Sequence, residues 1–117
     1  HALIAPSLIM QMAVIQGMHM AEKAGVDLEF YSKTISGLSV SLKADQERHT
    51  RAIIDGDFSE VQASIRTWKE ALDRILEEGK GSNVNAELLS GIGEVLRQGQ
   101  DQGVGEEDLA ALIKTMG

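Results

Sequence analysis

The sequence predicts an all-α fold, a helical bundle of about five to six helices around a long apolar helix at the start of the chain. Three observations support this prediction. Apolar residues recur at helical spacing in several segments, glycine-containing breaks separate those segments, and no stretch alternates between apolar and polar residues for long enough to form a strand. At 117 residues the chain can bury most of a core as one domain without disulfides or a structural metal.

Composition excludes several classes of function. A net charge of -7 and an aromatic content of 3% leave neither a basic surface nor a stacking platform for nucleic acid. The absence of cysteine excludes a disulfide scaffold and a thiolate zinc site. The apolar opening is about 20 residues long, enough to span a bilayer, but it contains Pro6, two glutamines and a histidine and lacks a basic flank. We therefore expect a cytoplasmic protein with no membrane and no nucleic-acid partner.

The first helix is apolar or small on every side from Ala2 to Ala21, apart from four polar side chains. A helix without a polar face has to be covered by other protein. Ala13 and Gly17 begin a stripe of small residues, four apart, where another backbone could approach closely. Gly25 ends this helix, whereas no capping residue precedes it. We interpret the chain as a piece of a larger protein.

The next segment begins with a capping residue, Asp27, followed by apolar residues at helical spacing. Weak helix formers around Gly37 predict either one bent helix or two helices that meet there. The later half, SLKADQERHTRAII, is mostly polar and predicts a solvated helix. The Asp55–Asp57 segment is typical of a turn.

A third helix is predicted to begin at Ser59, because Ser59 and Gln62 form a capping-box pattern and Phe58 stands at the hydrophobic-staple position. It carries a single apolar seam at alternating steps of four and three residues. The members of the seam are Val61, Ile65, Trp68, Leu72 and Ile75.

Two further helices complete the prediction. Asn85 is expected to cap the first of them, which fades in the QGQDQG stretch. Three acidic residues, 106–108, favour the positive end of a last short helix. The predicted buried face of that helix consists of Leu109, Leu112 and Ile113.

Few side chains suggest chemistry. His19, three residues before Glu22, fits a satisfied core histidine better than an acid–base group. Asp45 and His49 could hold a metal, but two ligands do not close a site and an ordinary solvated face explains them better. Trp68 fits either the core or a pocket wall. There is no phosphate loop, no nucleophile elbow and no glycine-rich dinucleotide fingerprint after a strand.

The order of the segments resembles a known family. MAEKAGVDLEFYSKTI is similar to the helix that follows the Rossmann domain in the β-hydroxyacid dehydrogenase superfamily. IIDGDFSEVQASIRTW, NVNAELLSGIGEVL and GVGEEDLAALIKTM resemble its imine reductase and reductive aminase branch. The resemblance covers essentially the whole chain and implies a C-terminal helical domain like that of 6-phosphogluconate dehydrogenase, an intertwined dimer in which residues 1–117 form a single dimerisation and substrate-pocket domain.

This resemblance implies an NADP-dependent oxidoreductase that delivers hydride to a C=N or C=O bond and works as a homodimer on a small imine or carbonyl substrate. Because the Rossmann domain is absent from this chain, we expect the chain alone to bind no cofactor and to be inactive.

The family's proton-handling residue falls at or before His1, and Leu3 and Ile4 replace an asparagine pair of the hydroxyacid branch. We therefore assign no catalytic residue, no cofactor-binding residue and no metal ligand. Leu8, Met12 and Trp68 fall where relatives line the substrate pocket. The alternative is a self-contained helical protein–protein interaction module without catalysis.

Overall fold

The computed structural model describes all residues, 1–117, and contains five α-helices, one 3₁₀ helix and no sheet. The elements in chain order are α1 (Ile4–Lys23), α2 (Leu28–Ser36), α3 (Ser39–Asp55), α4 (Ile65–Glu78), α5 (Glu87–Asp101) and the 3₁₀ helix (Leu109–Thr115). The predicted all-α class is confirmed. The chain divides into two compact units, residues 1–42 and 43–117. None of the helices combines the length and apolar character needed to cross a membrane.

In the first unit, α1 packs against α2. Gly25, two residues after the end of α1, has φ = 78°, a left-handed conformation that glycine adopts without strain. Asp27 caps α2 as predicted, since its carboxylate accepts a hydrogen bond from the backbone N–H of Phe30 at 2.9 Å. Gly37 separates α2 from α3, so the second of the two predicted arrangements, two helices that meet, is the one observed.

The prediction of a bundle built around the first helix is wrong. Only Ala21 of α1 is buried, and most of its large apolar side chains are exposed. The hydrophobic core lies in residues 43–117 instead. Because α1 is apolar on all sides, its contact with α2 covers one stripe of its surface and leaves the remainder uncovered.

The predicted small-residue stripe of α1 accommodates a side chain of α2. A Cβ atom on Gly17 would lie 1.9 Å from the hydroxyl oxygen of Tyr31 and 3.0 Å from its Cζ atom. We expect Gly17→Ala to lower the free energy of unfolding by about 1–3 kcal/mol, because the tyrosine ring must move out of its contact. Urea denaturation followed by circular dichroism measures this change.

Gly91→Ala is the matched control for Gly17→Ala. Gly91 also lies within a helix, but nothing stands within 4 Å of the position its Cβ would take. Helix propensity alone predicts that Gly91→Ala stabilises the protein by up to about 1 kcal/mol. Equal effects of the two substitutions would contradict the contact between α1 and Tyr31.

The second unit contains the core, in which α4, α5 and the 3₁₀ helix pack together. Its buried members are Phe58, Ile65, Leu72, Leu96, Val104, Ala110, Ala111 and Leu112. The predicted seam of α4 divides in two. Ile65 and Leu72 enter the core, whereas Trp68 and Ile75 stay 48% and 42% exposed. These two exposed residues therefore belong to a surface feature and not to the core.

The predicted start of the third helix at Ser59 is wrong, since α4 begins at Ile65. Ser64 is its N-cap and accepts a hydrogen bond from the backbone N–H of Thr67 at 3.1 Å. Ser59 donates its hydroxyl to Asp57 at 2.6 Å instead. The buried ring of Phe58 anchors the segment before α4 as non-helical chain.

Backbone pairing fixes where α4 starts. The N–H of Ile65 donates to the carbonyl oxygen of Glu107 at 3.1 Å, and the N–H of Arg66 donates to that of Gly105 at 2.8 Å. Two N–H groups that a helix start leaves without an intrahelical partner are thereby satisfied by a distant loop. The capping-box pattern could not reveal this pairing, because its partners lie about 40 residues later.

The last two elements agree with their predicted positions but differ in detail. The predicted cap of α5 is wrong by one position: the N-cap is Ala86, which makes no side-chain capping bond, while Asn85 before it accepts a hydrogen bond from the backbone N–H of Glu87 at 3.0 Å. The final helix is a 3₁₀ helix, in which Ala110, Ala111 and Leu112 are buried in the core. Ile113, predicted to be buried, is 49% exposed.

Candidate functional site

An apolar groove in the second unit is the main candidate for a ligand site. It has a volume of about 390 Å³ and lies between α4, α5 and the 3₁₀ helix. Its lining residues are all apolar: Trp68, Ala71, Leu72, Ile75, Ile92, Val95, Leu96, Leu109, Leu112 and Met116. A concave apolar surface of this size suits the hydrocarbon part of a small molecule. The groove holds no titratable side chain, so it can bind a substrate but cannot itself transfer a proton.

A smaller polar recess shares one wall with the apolar groove. The recess measures about 160 Å³, and its lining residues are Asp45, Arg48, His49, Gln62, Ala63, Trp68 and Leu109. Trp68 and Leu109 line both cavities. We call these two residues the Trp68–Leu109 wall. The wall therefore separates a purely apolar cavity from a polar one. Such an arrangement suits an amphipathic molecule, whose apolar and polar ends would occupy different cavities.

At the polar recess lies the Asp108 cluster, made of the buried Asp108 and two partly buried neighbours, Arg48 and His49. The Asp108 side chain is 1% exposed. Arg48 donates a hydrogen bond from Nη1 to its Oδ1 atom at 2.8 Å, and His49 Nδ1 lies 3.5 Å from Oδ2. Oδ2 also accepts from the backbone N–H of Ala110 at 3.2 Å, which makes Asp108 the N-cap of the 3₁₀ helix. The cluster joins α3 to the 3₁₀ helix.

The electrostatics of the cluster favour a charged Asp108. Burial raises the pKa of its carboxyl group, but the hydrogen bonds from Arg48 and from the backbone of Ala110 lower it by more, and the net pKa is below the ordinary value. Asp108 is therefore a carboxylate at neutral pH. A buried carboxylate of this kind acts as a fixed anchor for its cationic neighbour.

This lowered pKa predicts a specific acid sensitivity. A carboxyl group whose pKa is lower in the folded state stabilises the fold above its unfolded value, about 3.9, and loses that contribution as the pH falls through the folded pKa. We expect the free energy of unfolding to fall more steeply below about pH 4 in the native chain than in Asp108→Asn. Urea denaturation at a series of pH values measures the two slopes. The prediction fails if the slopes are the same.

The sequence-predicted pocket residues occupy two places. Leu8 and Met12 lie one turn apart on α1 in the first unit, both exposed, while Trp68 lines the groove of the second unit. Their joint assignment to a substrate pocket stays a prediction. His19 is half-buried on α1. Asp45 and His49 both line the polar recess, yet no group of three potential ligands that could hold a metal is present.

Sequence reasoning missed Asp108 and Arg48. The helix around Arg48 was predicted to be solvated, and Asp108 was grouped with the acidic residues that favour a helix start. The one available signal is that Asp108 directly precedes the apolar run of the last helix, at the position of a capping residue. Its ion pair with Arg48 joins residues 60 positions apart, which no local pattern reveals.

Comparison with known families decides the relationship of the chain. A family model described as "NAD-binding of NADP-dependent 3-hydroxyisobutyrate dehydrogenase" matches residues 6–116. The chain belongs to this family. The chain is therefore related to the NAD(P)-dependent oxidoreductases, as the sequence resemblance indicates. No curated protein matches the chain.

Solved structures place the family member near the imine reductase branch. An imine reductase from Pseudomonas sp. shares 25% sequence identity at a TM-score of 0.92, with 99% of this chain and 40% of that chain covered. An imine reductase from Myxococcus stipitatus in complex with NADP+ has 16% identity, a TM-score of 0.92 and coverages of 99% and 43%. A reductive aminase from Aspergillus terreus in complex with NADPH and ethyl levulinate has 16% identity, a TM-score of 0.88 and coverages of 97% and 40%. The chain thus spans about 40% of the length of these structures.

The family match corrects two predictions. The assignment to a C-terminal helical domain like that of 6-phosphogluconate dehydrogenase is wrong, because the matched family is described as NAD-binding. The expectation that this region alone binds no cofactor is wrong for the same reason. The first prediction followed from the resemblance of the segments and the second from the absence of a Rossmann domain, whereas a helical region can contribute to a dinucleotide site without a Rossmann domain.

In residues 43–117, the helix starts are poor sites for the diphosphate of a nicotinamide dinucleotide. Phosphate binding commonly uses free backbone N–H groups at a helix N-terminus. In residues 43–117, the start of α4 is occupied by the carbonyl groups of Gly105 and Glu107. The start of α5 carries the side chains of Asn85 and Glu87, and Asp108 caps the 3₁₀ helix. The apolar groove fits only an uncharged part of such a molecule.

Proposed function

We propose that this chain is the dimerisation and substrate-pocket domain, residues 1–117, of a larger NADP-dependent oxidoreductase similar to imine reductases. The enzyme transfers a hydride to the C=N bond of a small imine, or to a C=O bond. The single observation that carries this proposal is the apolar groove beside Trp68 in a fold that matches imine reductases at a TM-score of 0.92.

Within this proposal the chain contributes surfaces and not reacting groups. Trp68 of the second unit binds the hydrocarbon part of the substrate and excludes water from the C=N bond. Leu8 and Met12 of the first unit are proposed as further substrate-binding residues. The chain's titratable groups do not line the apolar groove. The proton therefore has to come from a residue that lies outside this groove.

A homodimer in the cytoplasm completes the proposal. Large apolar side chains of α1, including Ile4, Leu8 and Ile15, are more than half exposed. A continuous apolar surface of this kind is typical of an interaction site. A second copy that covers α1 would remove these side chains from water. The first unit also favours the second candidate, a helical interaction module that uses α1 to bind a different protein.

The first experiment tests the reaction on the full-length protein that contains this chain. The Aspergillus terreus reductive aminase was solved with cyclohexanone and allyl amine, which makes this ketone–amine pair a suitable probe. We expect NADPH consumption that depends on the presence of both compounds. Absence of NADPH oxidation with this pair and with a panel of cyclic imines would overturn the proposed reaction.

Substitution of Trp68 tests the pocket in the same assay. We expect Trp68→Ala to raise KM for the ketone by about tenfold, because a substrate loses a large apolar contact worth 1–3 kcal/mol. Trp68→Phe keeps an aromatic wall and is expected to change KM much less. Gly91→Ala serves as the control outside the groove. An unchanged KM for Trp68→Ala would contradict the pocket assignment.

Light scattering on Ile15→Glu tests the dimer. A charge in the centre of an apolar interface is expected to shift the protein from dimer to monomer. A native protein that is already monomeric at micromolar concentration would contradict the homodimer and favour the interaction module.

A further inference from the structure

The Trp68–Leu109 wall is not held in place by burial. Trp68 is almost half exposed and Leu109 is only half-buried. Burial alone leaves such side chains free to move between the apolar groove and the polar recess. A displacement of the wall enlarges one cavity at the expense of the other, so its position sets the size and polarity of the space that a ligand meets.

The backbone of each wall residue, Trp68 and Leu109, is linked to Asp108. Leu109 follows Asp108 directly, and the carboxylate of Asp108 caps the 3₁₀ helix that begins with Leu109. Ser64 pairs with Asp108 in an isolated β-bridge, and the N–H of Trp68 donates to the carbonyl oxygen of Ser64 at 3.0 Å. The N–H of Asp108 itself donates to the carbonyl oxygen of Phe58 at 3.1 Å. Asp108 is therefore linked through backbone contacts to both Trp68 and Leu109.

The charged side of the Asp108 cluster faces the polar recess. Arg48 and His49 line the recess and approach opposite oxygens of the Asp108 carboxylate. Asp45, also in the recess, lies 3.9 Å from the Arg48 guanidinium. Because the fixed planar donors of arginine hold a carboxylate in one orientation, this contact defines the direction in which residue 108 points.

Stability alone does not explain the cluster. Two buried nitrogen atoms in it, Arg48 Nε and His49 Nδ1, have no hydrogen-bond partner. Unpaired buried polar atoms are unfavourable, and buried ion pairs generally add little stability compared with apolar residues of the same size. Such a cluster does, however, hold its side chains in one defined geometry.

We propose that the Asp108 cluster is a positioning device, in which Asp108 and Arg48 set the location of the Trp68–Leu109 wall and thereby the selectivity of the apolar groove for ligand size. These are positioning residues and not catalytic ones, because none of them reaches into the groove. The link to substrate selectivity rests on the proposed function, whereas the positioning of the wall does not.

The decisive variant removes both charges and keeps the helix cap. In Arg48→Met/Asp108→Asn, the asparagine oxygen still accepts from the N–H of Ala110, but no directional ion pair remains. Trp68 is the single tryptophan of residues 1–117, so the part of the protein's tryptophan emission that is lost in Trp68→Phe reports on the wall. We expect a shifted emission maximum, stronger quenching by acrylamide and an altered affinity for the apolar dye 1-anilinonaphthalene-8-sulfonate, by about tenfold. Circular dichroism confirms that the variant is folded.

Glu106→Gln is the matched control. Glu106 belongs to the same loop and forms an ion pair with Arg66 at 2.7 Å, but that pair is exposed. It is expected to leave Trp68 fluorescence and dye affinity unchanged. A folded double variant with native fluorescence and native dye affinity would overturn the proposal.

Arg48→Lys is the second variant, used if the double variant does not fold. It keeps a positive charge opposite Asp108 but loses the planar donor group. We expect the same changes in fluorescence and dye affinity at smaller size, and their absence would equally overturn the proposal.

Activity of the full-length protein separates this proposal from the proposed function. The double variant is expected to change the ratio of KM values for a bulky and a small ketone while kcat stays within about twofold. If the native protein shows no activity but the fluorescence changes occur, the proposed function fails and the positioning role stands. If activity is present and neither KM nor fluorescence changes, the positioning role fails alone.

Discussion

Arg48→Met is expected to lower the free energy of unfolding by about 3–5 kcal/mol, because it leaves the carboxylate of Asp108 buried without a cationic partner. The Asp108 side chain is 1% exposed and accepts its shortest hydrogen bond from Arg48, at 2.8 Å. Urea denaturation followed by circular dichroism measures the loss.

Two controls separate this effect from a general loss of charge. Glu106→Gln removes an exposed ion pair in the same loop and is expected to cost no more than about 1 kcal/mol. Adding Asp108→Asn to Arg48→Met removes the unpaired charge and is expected to recover much of the lost stability. If Arg48→Met is as stable as Glu106→Gln, the buried ion pair between α3 and the 3₁₀ helix does not form in solution.

Ile65→Ala is expected to be similarly severe, with a loss of about 2–5 kcal/mol. Ile65 is fully buried, and it stands at the first position of α4, where its backbone pairs with Glu107. Its side chain packs in the core with Leu112 and Val104, and a shorter side chain leaves a cavity there. Thermal and urea denaturation both report the change.

Ile75→Ala provides the same substitution on the same helix at the edge of the groove. Because Ile75 is 42% exposed, we expect it to lose no more than about 1 kcal/mol. The two substitutions together test whether the apolar seam of α4 divides between core and groove. Equal losses would show that the seam is buried along its whole length, as the sequence pattern alone predicts.

Much of the local structure followed from the sequence. Asp27 caps α2 and Gly25 ends α1 as their side-chain chemistry and conformational freedom predict, because capping and helix termination depend on residues within one turn. The all-α class followed from the spacing of apolar residues for the same reason. The family resemblance came from three segments in order, and the family match agrees with the superfamily it indicated.

The candidate site depended on contacts that are distant in the sequence. Apolar spacing identified Trp68 as a member of the α4 seam but could not distinguish core from pocket wall, since both use the same helical period. That distinction depends on what faces each residue: Ile65 belongs to the core cluster with the buried residues of the 3₁₀ helix, while Trp68 lines the open groove between α4, α5 and the 3₁₀ helix. The polar residues of α3 looked solvated because their partner, Asp108, is 60 residues away.

The sequence by itself determined the helical class, the cap of α2, the end of α1 and the relationship to the NAD(P)-dependent oxidoreductases. Only the tertiary structure decided the start of α4, the 3₁₀ form of the last helix, the burial of Asp108 and the division of the α4 seam. The physical reason is the sequence separation of the interacting residues. Caps and periodic apolar faces are properties of neighbouring residues, whereas burial of a charge and the opening of a groove depend on which distant segments meet.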